Sequence, residues 1–324
     1  MPVKTFAGIE IGGTKLQIVL GDENANILER FRFQVDVSAG AEGIRRNIAK
    51  TFEQLDTEKI RGIGIGFGGP VDHKTGKIFT SYHVAGWSDF SITHWLSGLT
   101  GIFVSVDNDA NVAAFGEALY GAGRNYENVS YVTLGSGVGA GHVVNRKVYH
   151  GTTPGEMELG HVRLDKAGKT VQSSCSGWAV DEKIRKAIGE NPKGVLAKLC
   201  KSANGTESRL LKDAIDQQDD IAIKILDETI DDLAFALSHT VHLLHPQTVV
   251  LGGGLSLIGE KLRSGIEKKL KEYLMDAFQP GPDIQISRLG EDAVPVGALA
   301  LAIDHKRSIW MTISLPTWRR TVRR

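Results

Sequence analysis

The same run of strand, glycine turn, strand, polar turn and strand occurs twice in this chain, and that duplication limits its fold more than any other feature. In the first copy, apolar alternation and β-branched residues mark Phe6 to Leu20 as two strands around a tight Gly12-Gly13 turn, and "ANILERFRFQV" supplies a third strand. In the second copy, "VSYVTLGSGVGAGHVVNRKVYHG" (Val129 to Gly151) follows the same order. Laying "IEIGGTKLQIVLGDENANI" over "VTLGSGVGAGHVVNRKVYH" sets Gly12 on Gly135 and brings the turns "DENAN" and "VNRK" close to register. The halves share a layout and not a sequence repeat, which predicts two similar domains facing one another.

The remaining segments alternate between the two hydrophobic periods. A helix is expected over Gly43 to Leu55, a buried strand in "IRGIGIGFGG" ending at Pro70, and a short helix near Ile92 to Leu99. The strand "IFVSVDND" then leads directly into the helix "ANVAAFGEALYG". Ile221 to Leu244 is a helix that stops at His245-Pro246, where proline disfavours continuation. "TVVLGGGLS" and "DIQISRL" are strands, whereas "LIGEKLRSGIEKKLKEYL" and "PVGALALAID" are helices. Strands alternating with helices define an α/β chain, and 324 residues exceed the usual single core. The expected domains are residues 1–105, with the helix near 295–304 as a candidate completion, and residues 106–294. A basic tail occupies 305–324.

A formal net charge of zero with 41% hydrophobic and 23% charged residues gives no global attraction to nucleic acid or membrane. No window approaches a membrane span, and the apolar N-terminal strand is too short for a signal segment. Cys175 and Cys200, the only cysteines, fit a reducing compartment, so a cytoplasmic protein with a small-molecule partner is expected. The tail from His305 holds six Lys/Arg and two Trp with no acid after Asp304. Such a segment suits either an anionic-surface arm or a chain end without chemistry, and the second reading is preferred, with no nucleic-acid partner.

The glycine motifs decide between nucleotide folds. Gly64, Gly66 and Gly69 match G-x-G-x-x-G, but Pro70 follows where a dinucleotide site opens a helix. Gly8 and Gly13 have the spacing of a P-loop, yet Thr14-Lys15 reverses the required order and the turn joins two strands. A strand-turn-strand phosphate hairpin fits better. Gly12 and Gly13 let backbone N–H groups turn inward, and Thr14 and Lys15 add a hydroxyl and a cation. "LGSGVGAG", with Gly135, Ser136, Gly137 and Gly139, repeats the device. "GGGLS", with Gly253 and Gly254, offers backbone on which an adenine and ribose could pack.

In order along the chain, "EIGGTK", "GFGGPVD", "DNDANVAAFGE", "TLGSGVGAG", "EMELGH", "VVLGGGLS" and "AVPVGALALA" resemble the ROK family of repressors, open reading frames and sugar kinases. The resemblance covers about residues 3–304. It implies the actin-like ATPase fold of hexokinases and actin, with two ribonuclease-H-like domains around an interdomain cleft. It maps the family's catalytic aspartate to Asp109, in "VDNDAN" where strand gives way to helix, and a sugar-hydroxyl ligand to Asn108. Simple helix capping is the alternative use of either residue. Glu158 and His161 of "ELGH" correspond to further sugar ligands, although a Glu and His three apart also suit a surface pair. Gly69 lines the sugar site by the same resemblance, and His83 stands where the family's sugar-loop asparagine is expected.

The departures from the family pattern are specific. Glu10 replaces the usual aspartate of the first phosphate motif and is expected to orient Mg²⁺ through water. The window that should hold three zinc-ligating cysteines reads "VQSSCSGW", so His161 and Cys175 cannot close a tetrahedral site and no structural zinc is expected. Val180, followed by Asp181, replaces a sugar-contacting glutamate. The resulting expectation is an ATP- and Mg²⁺-dependent hexose kinase, glucokinase-like, with Asp109 as general base and a homodimer as the assembly. A sugar-binding sensor or regulator that has lost catalysis is the alternative. A repressor would carry a helix-turn-helix upstream of the first phosphate strand, for which the N-terminal residues leave no room.

Overall fold

The computed structural model describes residues 4–153, 157–203 and 205–314, the last ten as backbone only. The chain divides into two compact units. One holds residues up to Asp107 together with those from Ala298 onward, and the other runs from Asn108 to Gly297.

In the first unit, β1 (Thr5–Ile11), β2 (Lys15–Gly21) and β3 (Ile27–Gln34) form the expected antiparallel meander. Next come α1 (Gly40–Gln54), β4 (Ile60–Phe67), β5 (Val71–Asp72), β6 (Lys77–Ile78), β7 (Phe90–Ser91), α2 (Ile92–Thr100) and β8 (Val104–Asn108). The main sheet has the order β3-β2-β1-β4-β8, and β4 runs parallel to β1. Period-two alternation buries Ile9, Ile11, Leu16, Ile18, Ile63 and Ile65 in one core with Ile44, Ile48 and Phe52 of α1. Burying each such side chain contributes roughly 1.5–3 kcal/mol. β5, β6 and β7 form a separate small sheet that sequence patterning did not resolve, because its strands are two residues long.

The second unit repeats the plan. After α3 (Asp109–Tyr120) come β9 (Asn128–Leu134), β10 (Val138–Val144) and β11 (Lys147–Val148), again an antiparallel meander. Four short to medium helices follow: α4 (Val171–Cys175), α5 (Gly177–Glu190), α6 (Val195–Leu199) and α7 (Leu211–Asp216). The long α8 (Asp220–Leu244) precedes β12 (Thr248–Gly252), α9 (Glu260–Tyr273), β13 (Asp283–Ile286) and α10 (Ala293–Ser314). The sheet order is β11-β10-β9-β12-β13, with β12 parallel to both β9 and β13. Counted within each five-stranded sheet, both orders read third, second, first, fourth, fifth. That shared order is the duplication anticipated from the two glycine hairpins.

The helix expected over Pro295 to Asp304 starts two residues earlier and continues to Ser314, into the segment read as a basic tail. Residues 315–324 lie outside the described residues. From Ala298 the helix belongs to the first unit, where Gly62 and Gly64 of β4 face it. A Cβ on Gly64 would overlap the Ala298 carbonyl oxygen, and one on Gly62 would lie 3.0 Å from the Ala302 oxygen. Gly62 and Gly64 therefore let a helix rest on bare strand backbone, so Gly64, the first glycine of the dinucleotide-like match, serves packing.

Candidate active site

In the first unit the opening hairpin is closed by Gly12 N–H donating to the Lys15 carbonyl at 3.0 Å. Its flanks are tied down by Gly68 N–H to the Ile11 carbonyl at 2.8 Å and by Val35 N–H to the Thr14 carbonyl at 3.0 Å. A Cβ on Gly13 would lie 2.7 Å from the Cβ of His83, so only glycine lets the 81–84 loop sit against the turn. That loop is itself shaped by Ser81 Oγ, which accepts from the backbone N–H groups of His83 at 3.4 Å and Val84 at 3.2 Å. Gly69 packs against the Thr80 carbonyl oxygen, 2.8 Å from where its Cβ would be. Thus Gly13 meets His83 and Gly69 meets Thr80, and both glycines face the 80–84 segment. Glu10, at the end of β1, accepts from Gln17 Nε2 at 2.7 Å and pairs with Lys15 Nζ at 3.2 Å, its side chain 15% exposed.

In the second unit β10 organises the site. Its hairpin is closed by Gly135 N–H to the Gly137 carbonyl at 3.0 Å, and Gln172 Oε1 accepts from Val138 N–H at 3.2 Å. α3 lies directly on β10, with Gly139 facing the Ala110 methyl and Gly141 facing the Ala110 carbonyl. Asp109 is the first residue of that helix, and Asn108 is its N-cap. Asn108 Oδ1 accepts from Ala110 N–H at 2.9 Å and Asn111 N–H at 3.4 Å. Capping and ligand binding are therefore compatible, because any ligand contact of Asn108 runs through Nδ2. The "ELGH" segment is fixed to the same strand: Met157 bridges to Ala140, and Gly160 lies so close to the Val138 carbonyl that a side chain would overlap it. Glu158 and His161 come together only loosely, 3.9 Å apart, and both are more than half exposed, so their pairing adds little stability.

A cavity of about 230 Å³ opens beside the second hairpin. Leu134, Gly135 and Ser136 line it together with Gly254, as do Trp178, Asp181, Thr206 and Arg209. Gly137, Gly139 and Gly253 are not among its lining residues. Gly137 faces Gln172, Gly139 faces Ala110, and Gly253, at φ +78°, presses on the Leu134 backbone. Their glycine identity reflects close packing that supports the loop. Sequence reasoning missed the contribution of 178–209, which comes from α5 and the loop before α7. Asp181 Oδ1 accepts from Ser208 N–H at 2.6 Å, and Glu207 pairs with Arg185 at 3.0 Å, fixing that loop over the cavity. Val180, at the position of the expected glutamate, is fully buried in the core.

The residues around "VQSSCSGW" do not fit a zinc ion. Cys175 is the one cysteine of this window; it is buried, and its Sγ donates to the Thr229 carbonyl at 3.7 Å, while burial pushes its thiol up to about 12. Among the described residues no group of three or more His, Cys, Asp or Glu side chains is placed to hold a metal. The loop following "ELGH" is instead held by Lys169, whose Nζ reaches both oxygens of Asp232 at 2.8 and 2.7 Å, and by Ser174, which donates to the same carboxylate. Among the described residues no helix is long and apolar enough to cross a membrane.

Two α/β units of matching strand order, each with a glycine hairpin at its first turn, define a two-domain protein of the actin-like ATPase fold. The chain belongs to the ROK family, whose family profile matches residues 6–305. It is 31% identical over 310 residues to a glucokinase of Thermotoga maritima, covering 93% of this chain and 98% of that one. Among solved structures, a ROK family glucokinase from Streptomyces griseus in complex with glucose and AMPPNP superposes with a TM-score of 0.79 at 28% identity, covering 93% of this chain and 99% of that one. A ROK family transcriptional regulator, described as a homologue of the E. coli MLC protein, shares the fold at a TM-score of 0.82 and 20% identity, covering 93% of this chain and 78% of that one.

Proposed function

We propose that this chain is an ATP-dependent sugar kinase that transfers the γ-phosphate to a hexose hydroxyl, with glucose as the first substrate to test. The observation that carries the reading is the arrangement on β10, where the helix headed by Asn108 and Asp109, the "ELGH" segment and a glycine hairpin beside a cavity are all anchored to one strand. Phosphoryl transfer depends on placement and charge neutralisation more than on covalent chemistry by the protein. Asp109 would accept the proton of the attacking hydroxyl, a role worth roughly 10²–10⁴ in rate. Asn108 Nδ2, Glu158 and His161 would hold sugar hydroxyls, with Gly69 and His83 bordering the sugar. The cavity at Gly135, Ser136 and Gly254 would take the nucleoside, and the hairpins with Thr14 and Lys15 would hold its phosphates. The glucokinase similarity and the AMPPNP complex of a similar structure support this assignment.

Mg²⁺, when bound, neutralises charge between the phosphates. Glu10, a partly exposed carboxylate beside the first hairpin, would help to hold the ion. A catalytically silent sugar sensor is the second reading, favoured by the pairing of that carboxylate with Lys15. ADP release measured against glucose, mannose, fructose, N-acetylglucosamine and N-acetylmannosamine separates the two. Turnover with any of them supports the kinase. Calorimetric sugar binding without ATP binding or turnover supports the sensor.

A further inference from the structure

Gln17 is fully buried in the middle of β2 between Leu16 and Ile18, a costly place for an amide unless each polar atom is satisfied. Its Oε1 accepts from Arg30 Nη1 and Arg32 Nε, both at 2.9 Å. Guanidinium groups only donate, so the amide oxygen must face β3 and the amide nitrogen must face β1. There Nε2 donates to Glu10 Oε2 at 2.7 Å. Strand register makes this a single row, because Glu10 pairs with Gln17 and Gln17 pairs with Arg32. Lys15 Nζ stands 3.2 Å from the other carboxylate oxygen.

We propose that Gln17 is a positioning residue for Glu10, which aims the carboxylate toward the metal–nucleotide complex and is itself locked in orientation by Arg30 and Arg32. The proposal rests on the kinase reading and on Glu10 facing the metal. A glutamate side chain turns about one more bond than an aspartate, and the row of hydrogen bonds removes that freedom. An aspartate at position 10 would withdraw its oxygens from Gln17 Nε2 by one methylene, so the two residues function as a pair.

Calorimetry with AMPPNP, in excess Mg²⁺ and in EDTA, tests this alongside steady-state kinetics. Gln17→Met, which keeps the volume and removes the amide, is expected to weaken binding of the Mg²⁺ complex roughly tenfold, the scale of losing an outer-shell partner. Binding in EDTA and KM for the sugar should stay unchanged. In a Glu10→Asp background the same substitution should add no further loss. Equal losses with and without metal, or the same loss in both backgrounds, would overturn the proposal and reduce Gln17 to a support of the sheet. Arg32→Gln, on an exposed residue, provides the same comparison if Gln17→Met does not fold. Glu10→Ala separates the layers: Mg²⁺ dependence retained there removes the metal role of Glu10 itself. A loss at Glu10→Ala with none at Gln17→Met leaves the kinase standing and ends this proposal.

Discussion

Asn108 caps α3 through Oδ1, and on the proposed kinase reading its Nδ2 also holds a sugar hydroxyl; paired substitutions can separate the two roles. Its Oδ1 caps α3 by accepting from the Ala110 and Asn111 N–H groups, and the residue is 9% exposed. Serine caps helices about as well as asparagine, whereas alanine leaves these N–H groups without the cap at a cost of about 1 kcal/mol. For a unit of this size that cost lowers Tm by about 2–4 °C. Asn108→Ala should therefore melt lower by this amount, while Asn108→Ser should melt close to the parent. Both variants lack Nδ2. Each should lose one hydrogen bond to the sugar, about 0.5–1.5 kcal/mol, or up to roughly a tenfold rise in Kd. Differential scanning fluorimetry and glucose titration calorimetry report the two effects independently. If Asn108→Ser restored sugar affinity together with Tm, the amide nitrogen would have no part in binding. An unchanged Tm in Asn108→Ala would show that the cap contributes nothing.

Asp109→Asn should keep sugar affinity near the parent value while turnover falls by roughly 10²–10⁴, measured by coupled ADP release; an active variant would remove the base assignment. Gly64→Ala should drive α10 off β4 and cost about 1–3 kcal/mol in urea unfolding, and an unshifted midpoint would contradict the close approach to Ala298. His142 is buried with Nδ1 2.9 Å from Ser130 Oγ, and burial holds its imidazole down to about 4 from the usual 6.5. The stability from its neutral ring is complete above pH 6.5 and is lost as pH falls through about 4. Tm should thus fall more steeply between those values in the parent than in His142→Gln, and equal slopes would refute the assignment.

The meanders were legible because alternation and paired glycines are local signals, and the structure supplies both with the strand order they required. Of the helices α4 to α7, α4, α6 and α7 are five or six residues long, less than two turns, and too short for a helical period to show. Gly64 shows a subtler limit: its spacing could be excluded as a dinucleotide motif, but the reason for the glycine lies in Ala298, at the other end of the chain. The cavity was half legible. Gly135, Ser136 and Gly254 carry recognisable motifs, whereas Trp178 at the start of α5 and Arg209 in the segment before α7 belong to no motif. Gln17 had a signal that went unused, a polar residue between Leu16 and Ile18 opposite an acid.

Because α10 supplies a wall of the first unit, the order of synthesis matters. A ribosome making this chain emits β1 to β8 early, then must translate residues 108–297 before the covering helix from Ala298 exists. At about 5–20 residues per second that interval lasts roughly 10–40 s. Throughout it, the glycine-lined side of β4 stays bare on the nascent polypeptide, a natural moment for chaperone engagement and the stage at which truncated products would be most prone to aggregate.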